Sequence, residues 1–272
     1  MVKFICAVST FFLIIQINAQ ELSDITIGKR YQIYSETLEE NREYWVSLPS
    51  SYHSTEAATM RYPLLVLLDG NIHFESISGL ANYMSRGRSP RIPELIIVGI
   101  RNVDRGRDYT PDKVITTRKN NTGGGDLFVD FLEKELMPQL DKQYRIADKK
   151  ILFGHSLGGL LATHVYLKEK TLFNSFIVVD PSLGTWDNAV MTEKLSAVSE
   201  NSYNRYLFLA TANWGKRNFK NRDRHVRLYE WLHSNCDGEF LADMKYYESE
   251  SHSSVPPIAF YDGILALFDT AN

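Results

Sequence analysis

Residues 151–167, ILFGHSLGGLLATHVYL, set one serine among three glycines, between an apolar run that reads as a strand and one that reads as a helix. Within them Gly154-His155-Ser156-Leu157-Gly158 fits the pattern G-x-S-x-G. A residue forced into a strained turn between strand and helix projects its side chain out of the sheet. Glycines two before and two after it let the strand and helix approach without Cβ clashes. The helix that follows points its amide end at whatever the serine attacks. A plain glycine-rich turn would carry the same five residues, so the choice depends on what the rest of the chain supplies.

Outward from this stretch, short β-rich runs alternate with longer amphipathic ones. DITIGKRYQIYS (24–35) and REYWVSLPSSY (42–52) read as an antiparallel pair of edge strands. YPLLVLLDG (62–70), PELIIVGI (93–100), KKILFGH (149–155), NSFIVVDPS (174–182) and RYLFLATAN (205–213) are continuous apolar runs, as in strands buried on both faces. ADMKYYES (242–249) is a more polar last strand. Helices are expected at 123–144, 157–170, 222–234 and 255–268. The alternation predicts an α/β fold with a mostly parallel sheet of about eight strands and helices on both faces. With no repeat, low-complexity tract or linker, residues 20–272 read as a single domain.

The first twenty residues, MVKFICAVSTFFLIIQINAQ, stand apart. Lys3 is their only charge, an apolar run follows, and Asn18-Ala19 ends in a small residue. That is the layout of a secretory signal over residues 1–19, with cleavage after Ala19 and a secreted or periplasmic destination. The apolar run is broken by polar residues and is short for a membrane span of ~20 residues, so stable insertion after cleavage is not expected. Cleavage leaves Cys236 as the only cysteine, so an internal disulfide and a thiolate metal site are both excluded. The formal net charge of −3 argues against a nucleic-acid partner. Asn120-Asn121-Thr122 is a glycosylation sequon that matters only in a host that glycosylates.

In a parallel α/β sheet, sites form beyond the carboxyl ends of the strands. The residues there are Asp69-Gly70-Asn71, Arg101-Asn102, His155-Ser156, Asp180-Pro181-Ser182, Ala212-Asn213 and those after Tyr247. A serine hydroxyl needs a base within hydrogen-bond reach. His155 is adjacent to Ser156, and neighbouring side chains diverge on a sharp turn. His164, His225 and His233 fall in helical runs, and His53 in an early loop. His252, in YYESESHSSVPP just after the last strand, completes the chain order Ser, acid, His.

YPLLVLLDGNIHF, ELIIVGIRNVDRGRDYTP, GHSLGGL, VVDPSLGTWDN and ESHSSVP together resemble the putative-esterase family of α/β-hydrolases, which includes siderophore esterases, feruloyl esterases, S-formylglutathione hydrolases and mycolyltransferases. The resemblance runs from about residue 25 to the end and implies the α/β-hydrolase fold. It implies Ser156 as nucleophile, His252 as general base, and an oxyanion hole built from the backbone amides of Asn71 and Leu157. The acid stays open. Asp223, 29 residues before His252, has a spacing that resembles related enzymes, though an aspartate near a helix N-terminus also suits the macrodipole. Glu250 is an alternative acid, and siderophore esterases of the family manage with a Ser-His pair. Asp180 reads as a residue that caps or orients loops.

Candidates for the substrate pocket are His73, which follows the third strand, Arg107 and Trp186. Gly184-Thr185 stand in place of the first tryptophan of the family's usual PSLWW, which leaves Trp186. Arg107 would hold an anionic group, unless Asp104 and Asp108 pair with the loop's arginines. These readings predict an exported serine esterase acting through an acyl-enzyme on a small-molecule or glycan-linked ester, siderophore or carbohydrate-linked, with no metal or organic cofactor. Acyl transfer or peptide hydrolysis at the same site, or an inactive binding protein, are the alternatives.

Overall fold

The computed structural model describes residues 22–114, 122–168, 172–196, 198, 205–215, 219–235 and 241–269. The secretory signal, Asn120 and Cys236 lie outside the described residues. Eight strands form one sheet: β1 (Lys29–Ser35), β2 (Glu40–Ser47), β3 (Tyr62–Leu67), β4 (Ile96–Ile100), β5 (Ile146–His155), β6 (Ser175–Val179), β7 (Tyr206–Ala212) and β8 (Leu241–Tyr247), in the order β1-β2-β4-β3-β5-β6-β7-β8. β1 pairs antiparallel with β2, and β2 with β4; every other pairing is parallel. Each strand falls on a run that reads as one in the sequence.

Alternation along the central strands sends successive side chains to opposite layers. Leu65, Leu67, Phe153, Ile177 and Val179 pack with α1 (Gly70–Met84) and α8 (Val255–Asp269). Leu64, Val66, Leu152, Phe176 and Val178 pack on the other face. That face is covered by α2 (Arg105–Tyr109), α3 (Gly125–Phe131), α4 (Met137–Gln143), α5 (Leu157–Leu167), α6 (Asn188–Ser196) and α7 (Phe219–Asn235). Burying each such side chain stabilises the fold by about 1.5–3 kcal/mol. β6 is buried at all five positions, which explains its unbroken apolar run.

The sequence reading misses α1, α2 and α6. In α1 the buried residues Phe74, Ile77, Ala81 and Met84 keep helical spacing, but Gly70, Gly79 and several polar residues dilute the pattern. The 105–109 stretch reads as a loop and is a short helix, its first turn capped by the Asp104 side chain, which accepts from the Arg107 amide at 3.0 Å. Between α3 and α4 a π turn (Leu132–Leu136) takes up the irregularity ahead of Pro138, which has no N–H to donate.

β3 lies between β4 and β5, and this is what locates the site. The chain leaves β3 through α1 on one face and leaves β5 through α5 on the other. Divergent exits from neighbouring parallel strands open a crevice at their carboxyl ends.

Candidate active site

Three adjacent strands, β3, β5 and β6, are each followed by a non-glycine residue with positive φ: Asp69 (55°), Ser156 (60°) and Asp180 (42°). Such conformations cost on the order of 1–3 kcal/mol each and persist only where surrounding contacts over-determine them. Glu39, in the β1–β2 turn, is the one other case among the described residues. Strain is thus concentrated at one end of the sheet.

At the middle turn, the Ser156 amide donates to the Val179 carbonyl at 3.1 Å, and the Ser156 carbonyl accepts from Leu160 and Ser182, both at 2.9 Å. Gly154 permits the close crossing: a Cβ there would lie 2.3 Å from the Gly158 carbonyl oxygen. Ser156 Oγ lies 3.3 Å from Ser182 Oγ, its hydrogen-bond partner among the described residues. The amides of Leu157 and Asn71, each in the first turn of a helix, have no intramolecular acceptor among the described residues.

At the first turn, buried Asp69 accepts two hydrogen bonds from Arg105, Nε at 2.8 Å and Nη2 at 3.0 Å, and one from the Asn102 amide group. Arg105 Nη2 also donates to the His155 carbonyl at 3.3 Å. One guanidinium therefore ties the turn that carries Asn71 to the turn that carries Ser156.

At the third turn, His252 Nδ1 lies 2.6 Å from Asp180 Oδ2, and the Trp214 indole N–H donates to the same oxygen. The Ala212 amide donates to Oδ1 at 3.2 Å. Burial pushes the Asp180 carboxyl up, but the hydrogen bonds from His252 and Trp214 outweigh it and leave the group below the usual aspartate range. Beneath this turn, His225 Nε2 donates to the Pro181 carbonyl at 2.7 Å, while Asn221 donates to the same carbonyl and accepts from the Gly184 amide.

The His252 ring packs against His155, the neighbour of Ser156, with centroids 4.4 Å apart, and against Trp214 at the same separation. The structure thus brings residues 156 and 252 to one end of the sheet. Burial pushes the His155 imidazole down to about 3, so it is neutral near pH 7. Two cavities that share Trp214 and Asn221 open beside the site. One, of about 290 Å³, is lined by Ser182, Gly184 and Thr185; the other, of about 270 Å³, by Asp180, Phe219, Arg222 and Tyr246.

Several sequence-based assignments require correction. Asp223 is exposed on α7, and the carboxylate on His252 is Asp180, read beforehand only as a loop orienter. Glu250 meets this region through its backbone carbonyl, which accepts from Asn213. Trp186 is 2% exposed, with its indole N–H on Asp112 at 3.0 Å, so it packs the loop rather than lining a cavity. Arg107 is engaged by Glu40 and Asp108. His73 is buried behind His155, against Phe153. Trp214 is the residue that sequence reasoning missed outright; Asp180, Ser182 and Arg105 stand out in the sequence only as strand-end or loop residues, without the partners they have here. One signal was present: an aspartate ending a fully buried strand must find partners, because an unpaired buried carboxylate is prohibitively costly.

Among the described residues there is no cluster of three or more histidine, cysteine or acidic side chains that could hold a metal ion, and no helix long and apolar enough to cross a membrane.

The family described as "Putative esterase" matches residues 35–235. Ferri-bacillibactin esterase BesA of Bacillus subtilis is 28% identical over 243 residues, covering 80% of this chain and 82% of the relative. The siderophore triacetylfusarinine C esterase of Aspergillus fumigatus is 22% identical, covering 82% and 87%. The crystal structure of an IroE-like serine hydrolase from Shewanella oneidensis superposes with a TM-score of 0.82 at 32% identity, covering 89% of this chain and 80% of that one.

Proposed function

This chain belongs to the Putative esterase family and is a hydrolase of esters; from that premise we propose a serine esterase that opens ester-linked siderophores. The observation that carries the chemistry is the 2.6 Å contact of His252 with Asp180, at the same sheet end as the Ser156 turn. The siderophore assignment is supported by the names of the two curated relatives.

In this reading Ser156 Oγ turns from Ser182 towards His252 and attacks the ester carbonyl as His252 takes its proton. The Oγ–C bond forms, and the Asn71 and Leu157 amides receive the developing oxyanion. One such donor is worth about 3 kcal/mol of transition-state stabilisation. The C–O bond to the alcohol then breaks, and His252 returns the proton to the leaving oxygen. Water, activated by the same histidine, releases the acid and frees Ser156. Asp180 fixes the tautomer in which Nδ1 carries hydrogen and Nε2 is open, and stabilises the imidazolium as it forms. Export rests on residues 1–19 of the sequence.

The test is hydrolysis of a trilactone siderophore and of p-nitrophenyl esters by the mature protein and by Ser156→Ala, with fluorophosphonate labelling alongside. Turnover should fall by roughly 10⁴-fold or more, with labelling lost and melting temperature kept. Undiminished turnover in the variant rejects the serine mechanism. Activity on simple esters without any on the trilactone rejects the substrate class alone.

A further inference from the structure

We propose that Trp214 is a positioning residue that holds acid and base together, acting through two different parts of one indole; this rests on the reading that His252 is the base. Trp214 touches both members of the pair. Its N–H donates to Asp180 Oδ2, the oxygen that also faces His252 Nδ1, and its ring lies 4.4 Å from the His252 ring at an interplanar angle of 54°. His155 occupies another side of that imidazole, also at 4.4 Å. His252 is therefore flanked by two rings and pinned at Nδ1. Asp180 is fixed as well, with two donors on Oδ2 and the Ala212 amide on Oδ1.

A core-packing role does not account for this residue. Trp214 is 40% exposed and lines both cavities beside the site. Trp186, by contrast, is 2% exposed and packs a loop. An exposed indole whose only polar atom is directed at a buried carboxylate serves that carboxylate, and its ring orders the histidine next to it.

The indole N–H has a consequence for proton transfer. It occupies acceptor capacity on Oδ2 and so weakens the carboxylate's hold on an imidazolium. Remove it, and the carboxylate stabilises protonated His252 more strongly. The protonated form cannot accept the Ser156 proton, so activity is lost at a higher pH on the acid side. The other titratable groups around His252 are His155 from β5 and His225 from α7, both pushed down by burial, and Glu250 in its own loop. None of these is altered by replacing Trp214.

The experiment measures kcat and KM for a p-nitrophenyl ester from pH 5 to 9, with melting temperatures, for the mature protein, Trp214→Phe, Trp214→Ala and Ser156→Ala. Trp214→Phe keeps a ring and loses the N–H. It should lower kcat by about tenfold, as expected for loss of one hydrogen bond to a charged group, leave KM within about twofold, and move the acid limb to higher pH. Trp214→Ala, which also loses the ring, should fall further in kcat. Wild-type kcat and acid limb in Trp214→Phe overturn the proposal. So does a kcat loss with the acid limb unmoved, which would mean packing alone. Should Trp214→Ala not fold, Trp214→Phe decides by itself. Retained activity in Ser156→Ala would instead remove the serine mechanism on which the proposal stands.

Discussion

The turns after β5 and β6 are neighbours, both strained at a non-glycine residue, yet one is plain in the sequence and the other is not. At Ser156 the backbone is squeezed between its own strand and helix. Room must be made locally, by Gly154, where a Cβ would meet the Gly158 carbonyl. At Asp180 the neighbours are Val179 and Pro181, and the turn itself carries no glycine. That turn is held by Trp214 and His252, which lie 34 and 72 residues further along the chain, and by His225 and Asn221 on α7. Strain accommodated by local sterics leaves a motif, whereas strain offset by distant partners leaves only an ordinary aspartate.

The contrast is sharpest in catalysis. Asp180→Asn should lower kcat by about 10²–10⁴-fold, because the amide can no longer hold the required histidine tautomer. Asp223→Asn should leave kcat within about twofold, since Asp223 is exposed on α7. Parallel steady-state assays decide, and the opposite ranking would return the acid role to Asp223.

Next in size is the elbow's dependence on its glycine. Gly154→Ala would put a Cβ 2.3 Å from a carbonyl oxygen in the following helix, a contact with backbone rather than with a flexible side chain. Destabilisation of about 3 kcal/mol is expected, the upper end for overpacking. Urea unfolding measures it, and a loss below about 1 kcal/mol would mean that the turn relaxes freely.

A smaller effect should come from pH, since a buried imidazole lies under each turn, His155 at the elbow and His225 beneath Pro181. Burial lowers His155 to about 3, and lowers His225 as well. In the unfolded chain both titrate near ~6.5. Below that pH the unfolded chain binds protons that the folded one excludes, so stability falls as pH drops from about 6.5 towards 4. The lowered Asp180 acts in the same direction, with its contribution lost below the unfolded aspartate range, near ~3.9. The melting temperature should be lower at pH 5 than at pH 7.5, and His155→Gln should flatten that dependence. An unchanged slope in the variant would count against a neutral buried His155.

The smallest effect belongs to Arg107, whose partners Glu40 and Asp108 lie away from both turns. Arg107→Ala should cost only about 1 kcal/mol, because its Glu40 pair is partly solvated and the buried Asp108 carboxylate keeps its ion pair with Arg42. The ratio of kcat/KM for anionic and neutral esters should not change. A selective loss on anionic esters would restore Arg107 as a substrate contact.

The parts of the site that could be read in the chain follow the same division. Ser156 was legible because its turn demands glycines, and His252 because it follows the last strand. Trp186 and Trp214 look alike as letters, and only their surroundings separate a packed indole from one facing the cleft. Arg105 and Arg107 differ in the same way. Two residues apart on one short helix, they reach different carboxylates, Asp69 in the turn after β3 and Glu40 on β2.

By itself the sequence determined the eight strands, their burial and the position of the Ser156 turn, because periodicity and local crowding act over a few residues and are written there. Only the tertiary structure decided which carboxylate meets His252, which tryptophan covers it, and how Arg105 joins two turns. Those choices depend on the order of strands in the sheet and on side chains reaching across it, and contacts between residues dozens of positions apart impose no spacing on the chain.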